Sequence, residues 1–577
     1  MGRSPSLVFA VGLTLVAGIH AHADWAPNGN VVCDAPGQQG LMYATNDGAG
    51  GAIIMWPDFR DGVIFDIYAQ RIDAVGDTLW QAGGVPICTA PTDLRFNAGG
   101  ATKEHKIIGD GDGGAIMVWD DLRIGAGWNI YAQRVDSLGT PLWTPDGHLL
   151  CDSDSSQILP TLAMDGAGGA IVAWMDYRSS HPNEQDTDIY AQRVDADGNL
   201  LWGASGTRVS TRVGSSVALP QTTSDGVGGA FIVWEELGSV YAQHITASGD
   251  SVSGWPSNGA RIGRLGNAGG YSYAEIIGDG LGGAYVVWHW AEYGLGAFVY
   301  AQRLDPVSGP VWDSDGLLVG GSVLGEYGSY TPSITSDGSG GAFVSWIILS
   351  LSGDQDVYAQ RLNSAGQALW GTGGIPVCAD PAYQANPVIE SDSLGGAFVV
   401  WEDLRNGTTN GMDIYSQYLD GAGNPLWTID GEVICCAEQN QIRPRPFITD
   451  SLSALFFWVD ERAGNRDLYA GKRLAVTTGI SSLPGGARPS LLLYPNPARE
   501  ASTLLFDIPD EGSVSLDVYS IGGRLVRRLT NDRYGRGSHV LEWDGRDQSG
   551  RRAPSGVYFV RLQDGEEVES QRLILLR

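Results

Sequence analysis

Five copies of the phrase Trp-x-Asp-x-Arg place a carboxylate and a guanidinium two residues apart. The pairs are Asp58/Arg60, Asp121/Arg123, Asp176/Arg178, Asp403/Arg405 and Asp460/Arg462. Carboxylates are the acid–base groups of glycoside hydrolysis, but such an enzyme gathers a few unlike residues at one centre. Five equal copies favour a structural clamp instead, in which each arginine pairs with the aspartate of its own loop.

Other catalytic and metal-binding patterns are absent from the sequence. The histidines after residue 23 do not pair at metal-ligand spacing, and there is no Gly-x-Ser-x-Gly elbow and no phosphate loop ending in Lys-Ser/Thr. Asp195-Ala-Asp-Gly-Asn199 and Asp313-Ser-Asp-Gly316 are fragments of a calcium loop without the later glutamate that an EF-hand needs. We predict no cofactor and leave calcium open.

The charge distribution argues against a nucleic-acid partner. The net charge is −30, and the lysines are Lys103, Lys106 and Lys472. Residues 490–577 hold twelve arginines against thirteen acidic residues, so the acidity belongs to the residues before them. Nucleic acids and anionic lipids are bound through clusters of Lys and Arg, which this chain lacks. An acidic surface of this kind favours solubility outside the cell.

Residues 1–23 have the pattern of a secretory signal peptide. Arg3 precedes an apolar run from Leu7 to Ile19, and Ala21-His-Ala23 offers small residues for cleavage. No later apolar stretch approaches the roughly 18 residues that a membrane-spanning helix needs. The sequence predicts a protein without a membrane span that is secreted, extracellular or on the outer cell surface.

One unit repeats eight times between residues 24 and 474. Its first phrase, Asp-Gly-x-Gly-Gly followed by an apolar run and Trp, begins at Asp47, Asp110, Asp165, Asp225, Asp279, Asp337, Asp392 and Asp450, sometimes degraded. The glycines suit a tight hairpin turn, and the apolar run suits a strand covered on both faces. A short strand before the turn, a period-two phrase such as Ile130–Val135 and a Trp-x3-Gly-x3-Cys segment complete the unit. Four antiparallel strands repeated radially predict an all-β, eight-bladed β-propeller.

The two ends of this region predict how the propeller closes. The eighth unit stops at Leu474 without its last strand, whereas Trp25 to Cys33 has that pattern without a preceding unit. We therefore expect the N-terminal strand to complete the last blade.

Five cysteines occupy one position of the repeat. They are Cys33, Cys88, Cys151, Cys378 and Cys435, and other units carry Ser210, Gly263 and Gly320 there. A position that accepts Cys, Ser and Gly requires a small residue, so we predict buried thiols rather than disulfides. The sequence gives no role to the neighbouring Cys436.

The C-terminal region differs in composition from the repeats. Residues 475–489 are small, bear Gly and Pro and lack a period, which predicts a linker. Short alternating strands with turn signals over residues 490–577 predict a small β-sandwich.

This last region resembles a known family. Tyr494-Pro-Asn-Pro497, Tyr519 to Val526, Trp543 to Gly550 and Ser555-Gly-Val-Tyr558 are similar to the FlgD-type immunoglobulin-like domain and to the C-terminal sorting domains of type IX secretion cargo. The resemblance implies a module of exported bacterial proteins that contacts export machinery and guides or anchors its protein at the outer membrane. The repeats resemble those of uncharacterised secreted β-propeller proteins, which implies no activity.

One sector of the propeller departs from the common pattern. In the fourth unit seven residues separate Trp234 from Tyr241, the shortest such loop, and the fifth unit loads its loop with aromatic residues. A low blade beside an aromatic wall would form a notch for a sugar or a peptide. The predicted ligand residues are Trp290, Tyr293, Phe298, Glu235, Glu236 and Glu292.

The sequence therefore predicts a secreted or cell-surface propeller that binds an extracellular glycan or protein, with a C-terminal export or anchoring domain. The alternative is a carbohydrate-active hydrolase, similar to sialidases, that works at the propeller mouth.

Overall fold

The computed structural model describes residues 25–575 with internal gaps. The residues left out of that range are 27, 75, 92–93, 96–105, 125–126, 179–185, 211–216, 265–273, 293–295, 323–331, 350–354, 393–394, 408–410, 451–452, 475–489, 495–501, 509–511, 536 and 566. The predicted signal peptide and linker lie outside the described residues.

The described part of residues 25–474 forms eight antiparallel sheets, numbered here from the N-terminus. Sheets 1 to 4 are Tyr43–Asn46, Ala52–Asp58, Asp66–Ile72 and Val85–Cys88; Leu94–Arg95 with Ile107–Gly109, Ala115–Asp121, Asn129–Val135 and His148–Leu149; Gln157–Met164, Ala170–Asp176, Asp188–Val194 and Thr207–Arg208; and Val217–Ser224, Ala230–Glu236, Ser239–Ile245 and Ala260–Arg264.

Sheets 5 to 8 continue the same order along the chain. They are Glu275–Gly278, Ala284–Glu292, Gly296–Asp305 and Gly309–Pro310 with Leu317–Ser322; Ser333–Ser336, Ala342–Leu349, Gln355–Leu362 and Ile375–Cys378; Gln384–Ser391, Ala397–Asp403, Asp413–Leu419 and Glu432–Cys435; and Gln441–Asp450, Ser453–Asp460, Asp467–Leu474 and Asn30–Cys33. All the elements named in the described residues are strands, which confirms the all-β prediction.

Each sheet is built on the repeat as the sequence indicates. The Asp of the turn phrase accepts hydrogen bonds from the backbone of its own glycine turn, as Asp110 Oδ1 does from Gly114 N at 2.8 Å. The apolar run that follows is the second strand, and its tryptophan is at most 1% exposed in every sheet. The glycine directly before the fourth strand lies on that indole: a Cβ on Gly84 would be 2.6 Å from the ring of Trp56. The repeat therefore carries its own tryptophan–glycine core.

Neighbouring sheets share apolar cores. The first strands of consecutive sheets contact each other, and the first strand of sheet 8 also contacts that of sheet 1. One apolar cluster joins Trp458 of sheet 8 to Trp56 of sheet 1 and to Phe398 of sheet 7. Asn30–Cys33 pairs with Asp467–Leu474, with Asn30 opposite Ala470.

The C-terminal domain has two sheets and a separate core. Ser490–Tyr494, Ser502–Ile508 and Gly537–Trp543 form one sheet; Leu525–Tyr534, Gly512–Ser520, Gly556–Asp564 and Glu567–Leu575 form the other, in that spatial order. Phe506 and Trp543 of the first sheet share a buried cluster with Leu516 and Val560 of the second. The domain is therefore a β-sandwich whose core, in the described residues, lies between Leu491 and Leu575.

Candidate functional site

The Trp-x-Asp-x-Arg phrases form closed clamps at the end of the second strand. In sheet 7, Asp403 accepts hydrogen bonds from Trp401 Nε1 at 2.8 Å and from Arg405 Nε and Nη2 at 2.9 and 2.6 Å. The Asp403 side chain has no exposed surface, and Arg405 lies 4.0 Å over the ring of Tyr415. The structural clamp predicted from the sequence is confirmed, because the carboxylate and the guanidinium are paired with each other and with the tryptophan and tyrosine of the same sheet.

A second polar residue stands opposite each clamp aspartate in the neighbouring strand. Asp66 is the register partner of Asp58, whereas in sheet 2 Asn129 is the partner of Asp121. Burial, together with the nearby Asp61 and Asp58, raises the pKa of Asp66 to about 6. Sheet 2 therefore has the neutral amide of Asn129 at the position where, in sheet 1, burial and neighbouring carboxylates disfavour the charged form of Asp66.

Sheet 5 replaces this pair with two aromatic rings. Trp290 and Phe298 are register partners at the positions that Asp403 and Asp413 hold in sheet 7. Both side chains are half-buried, and their ring centroids lie 5.5 Å apart. The aromatic pair that the sequence analysis selected is therefore one contiguous surface.

The hairpin of sheet 5 is longer than that of sheet 4. In sheet 4 the last strand pair is Glu236 with Ser239, whereas sheet 5 adds two pairs beyond Trp290, ending at Glu292 with Gly296. At about 3.3 Å per residue, the sheet 5 hairpin extends about 7 Å further. The sheets thus differ in height in the direction that the sequence predicts.

The aromatic pair lies on the side of sheet 5 that is turned toward sheet 4. Trp288 fills the space beside Gly263 of sheet 4, where an added Cβ would lie 2.1 Å from the indole. Side chains two residues apart in a strand share a face, so Trp290 lies on the same side as Trp288. We call the surface formed by Trp290, Phe298 and the low hairpin Glu236–Ser239 the aromatic step.

The predicted carboxylates are placed differently from the aromatic residues. Glu235 and Glu236 are 6% and 1% exposed, and Glu236 accepts a hydrogen bond from Trp234 Nε1 at 3.1 Å. Glu236 therefore serves the interior of sheet 4, which its spacing after Trp234 could have indicated. Tyr293 lies outside the described residues; Glu292 ends the second strand of sheet 5, and its side chain is not described.

Sequence reasoning missed a buried carboxyl group between sheets 7 and 8. Glu402 is 5% exposed, and its Oε1 accepts the backbone N–H of Arg443 at 2.7 Å. Burial raises the pKa of this carboxyl, while hydrogen bonds from Arg443 and Asn386 oppose the shift. Partial burial and, after it, the charge of Glu402 raise the pKa of the neighbouring Tyr383, which is 44% exposed. The only sequence signal was a charged residue directly after the buried Trp401.

The calcium candidates are ordinary turns. Asp195 Oδ1 accepts the backbone N–H groups of Asp197 and Asn199 at 3.0 and 2.8 Å, and Gly316 N–H donates to the carbonyl of Asp313 at 2.8 Å. Within the described ranges no group of three or more His, Cys, Asp or Glu side chains is arranged to hold a metal ion.

Comparison with known proteins identifies the C-terminal domain. Residues 502–567 match the FlgD Ig-like domain. The likeness predicted from the motifs is thereby confirmed for that segment. The FlgD structure from P. aeruginosa is 22% identical, with 15% of this chain and 74% of that chain covered and a TM-score of 0.12. No curated protein matches the chain.

Two solved structures are similar to the larger region, at low identity. A protein of unknown function from Dyadobacter fermentans DSM 18053 is 8% identical, with 78% of this chain and 99% of that chain covered and a TM-score of 0.31. Hadza microbial sialidase Hz136 is 9% identical, with coverages of 71% and 74% and a TM-score of 0.32. Among the described residues, no helix has the length and apolar character needed to cross a membrane.

Proposed function

We propose that residues 24–474 form an eight-bladed β-propeller closed by the N-terminal strand, and that this ring binds an extracellular glycan or protein. Support for the ring comes from the cyclic contacts of the first strands and from the pairing of Asn30–Cys33 with Asp467–Leu474. The acidic charge and the signal-like residues 1–23 support an extracellular location.

The aromatic step carries the proposal of a binding site. Trp290 and Phe298 offer adjoining, partly exposed rings at the level where the hairpin of sheet 4 turns, and the hairpin of sheet 5 continues about 7 Å beyond them. Aromatic faces with polar neighbours bind the apolar faces of sugars and the side chains of peptides. The clamp residues do not compete for this role, since their polar groups are already paired.

The C-terminal domain is assigned to export or anchoring. The resemblance described above implies a domain found at the C-terminus of exported proteins, and residues 502–567 match the FlgD Ig-like family. Contact with export machinery through residues 490–577, in the manner of type IX sorting domains, is part of this proposal.

A glycan and protein array probed with residues 24–474, with and without calcium, tests the binding role. A ligand found there should lose at least tenfold in affinity with Trp290→Ala. Phe65→Ala is the matched control, because Phe65 is also an exposed aromatic residue in a hairpin between second and third strands and is 38% exposed. Equal loss in both variants, or no loss in Trp290→Ala, would place the site elsewhere.

One observation favours the hydrolase alternative. Glu402 is a buried carboxyl group of raised pKa beside the exposed Tyr383, which is the environment that general acids require. A glycoside-hydrolysis screen with the unmodified ring and with Glu402→Gln separates the two functions. Turnover that is lost in Glu402→Gln would establish the hydrolase; binding at the aromatic step without turnover would reject it.

A further inference from the structure

Arginines of five clamps reach across to the preceding sheet. Arg123 Nη2 lies 3.0 Å from Cys88 Sγ, and the equivalent Nη2–Sγ distances are 2.9 Å for Arg178–Cys151 and 3.2 Å for Arg405–Cys378. Arg462 lies 3.2 Å from Cys435, and Arg60 lies 3.9 Å from Cys33. We call this contact the arginine–thiol joint. Every one of the five repeat cysteines therefore has a clamp arginine in the next sheet.

A second hydrogen bond accompanies three of the joints. The residue after the cysteine donates its backbone N–H to an Asp or Asn of the next sheet: Thr89 to Asp146 at 2.9 Å, Ala379 to Asp430 at 2.9 Å and Cys436 to Asn28 at 3.0 Å. Cys436 thus holds an exposed position next to a joint, which gives the Cys435–Cys436 pair a structural explanation.

The joints are distributed unevenly. They lie between sheets 8 and 1, 1 and 2, 2 and 3, 6 and 7, and 7 and 8. Both sides of sheet 8, which combines strands from the two ends of the propeller region, are therefore joined. The three remaining interfaces are consecutive.

Two of these three interfaces are filled by tryptophan instead. Gly263 and Gly320 stand at the cysteine position, and an added Cβ would lie 2.1 Å from Trp288 and 2.3 Å from Trp346 of the next sheet. The indole therefore occupies the volume that sulfur and guanidinium occupy elsewhere. Between sheets 4 and 5, Arg261 also pairs with Asp315 at 2.6 Å.

Among the described residues, which leave out 179–185 and 211–216, the interface between sheets 3 and 4 has neither the arginine–thiol joint nor the tryptophan contact. Ser210, at the cysteine position, accepts a hydrogen bond from Ile189 N of its own sheet at 2.9 Å. The hairpin of sheet 4 turns directly after Glu236, so this sheet has no clamp arginine. Thr187 and Val217 do exchange hydrogen bonds at 2.8 and 2.9 Å. Sheets 2 and 3 have more described bonds: besides their joint, Gln157 N–H donates to Trp128 O at 2.7 Å, and Asp152 accepts from Ser205 Oγ and donates to Ala204 O, both at 3.0 Å.

We propose that the ring opens at the interface between sheets 3 and 4, rather than at the sheet where its two ends meet. The inference uses the cyclic order of the sheets and does not depend on the aromatic step binding a ligand. A hydrogen bond contributes about 1 kcal/mol net, so an interface without the arginine–thiol bond opens about fivefold more often.

Thiol labelling measures the opening of each interface separately, since a buried thiol reacts only when its surroundings part. Ser210→Cys places a reporter at the unjoined interface, in a site that is 1% exposed. The full mature chain is pulsed with N-ethylmaleimide, and each site is quantified by peptide mass spectrometry. Rates are divided by those in denaturant, and the exposed Cys436 serves as the fast reference.

The thiol introduced by Ser210→Cys is expected to react at least about fivefold faster than Cys88 and Cys151, at the joints between sheets 1 and 2 and between sheets 2 and 3. Equal or slower labelling would overturn the proposal, as would faster labelling of Cys33 or Cys435. If the variant does not fold, hydrogen exchange of the unmodified chain decides instead. Amides of Val217–Ser224 should then exchange faster than those of Gln157–Met164, and the reverse order would refute opening at the interface between sheets 3 and 4.

Discussion

Asp403 has the type and spacing of a catalytic carboxylate, but its hydrogen-bonding capacity is used within the fold. Its two oxygens satisfy an indole, a guanidinium and a backbone N–H, and none of its surface is exposed. The number of copies in the sequence was enough to predict this role. The arginine–thiol joint was not predictable, because its partners belong to different repeats and only the packing of sheets brings them together. Glu236 shows the same use of a carboxylate, since it accepts the hydrogen bond of Trp234 Nε1 from the position that Asp403 holds after Trp401.

Removing a clamp carboxylate should be costly. Asp403→Ala leaves Arg405, whose side chain is 16% exposed, without its counter-ion, and breaking a buried pair costs about 3 kcal/mol or more. Asp315→Ala is the matched control, since Asp315 is 46% exposed beside Arg261 and such pairs contribute less than about 1 kcal/mol. Urea denaturation measures both, and similar losses would contradict the clamp as a buried pair.

Asp66 should make the protein less stable as pH rises from about 4 to 6. Its pKa is raised to about 6 in the folded chain, so the folded state holds the proton where the unfolded state has lost it. Asp66→Asn, which copies Asn129 of sheet 2, should raise stability at pH 7 by up to about 2 kcal/mol and flatten this pH dependence. Thermal melts between pH 4 and 7 test it; an unchanged slope would show that Asp66 titrates normally.

At the scale of elements, the fourth strand depends on one glycine. Gly29 has a φ of +85°, and an added Cβ would lie 2.3 Å from Trp458. The same contact recurs in the other sheets, for example between Gly431 and Trp401. The spacing of Trp and Gly in the repeat predicted the strand, but the contact pairs each glycine with the tryptophan of its own second strand, which sequence spacing alone does not specify.

Gly29→Ala should lower the free energy of unfolding by more than the strain of its positive φ alone would explain, because the added Cβ would also clash with Trp458. Gly48→Ala is the control, because Gly48 has a similar φ of +74° with no atom within 4 Å of the added Cβ. The control should cost about 1 kcal/mol and Gly29→Ala at least twice that, as measured by thermal and urea unfolding. Equal costs would mean that the strand does not pack against Trp458 as described.

At the scale of the whole molecule, two cores are built from separate stretches of chain. The clusters of the eight sheets use described residues up to Tyr469 and Ala470, and the sandwich cluster begins at Leu491. The change of composition after residue 474 predicts a domain boundary between these two cores. The height difference between sheets 4 and 5 was also foreseen from loop length, whereas the position of Glu402 depends on how sheets 7 and 8 meet.

Residues 24–474 produced without the C-terminal domain should unfold at the same temperature as they do within the mature chain, within about 2 °C, because the described cores share no residues. Calorimetry of both proteins tests this, and a large drop would reveal a stabilising contact between the domains.

Export of the full and shortened chains, compared in a secreting bacterium, tests the sorting role of the C-terminal domain. Equal extracellular yield of the two chains would reject that role.

Asn30 pairs with Ala470, so the strands near the two ends of residues 25–474 are neighbours in one sheet. The chain could therefore begin and end at another point without changing the order of the sheets in space. A short peptide joining the two strands, with new ends cut between two sheets, for example at the exposed bend at Asp154 between sheets 2 and 3, would produce a circular permutant that retains all eight sheets. Such a permutant would have each of these sheets encoded by one uninterrupted stretch, so single sheets could be exchanged, deleted or duplicated as units.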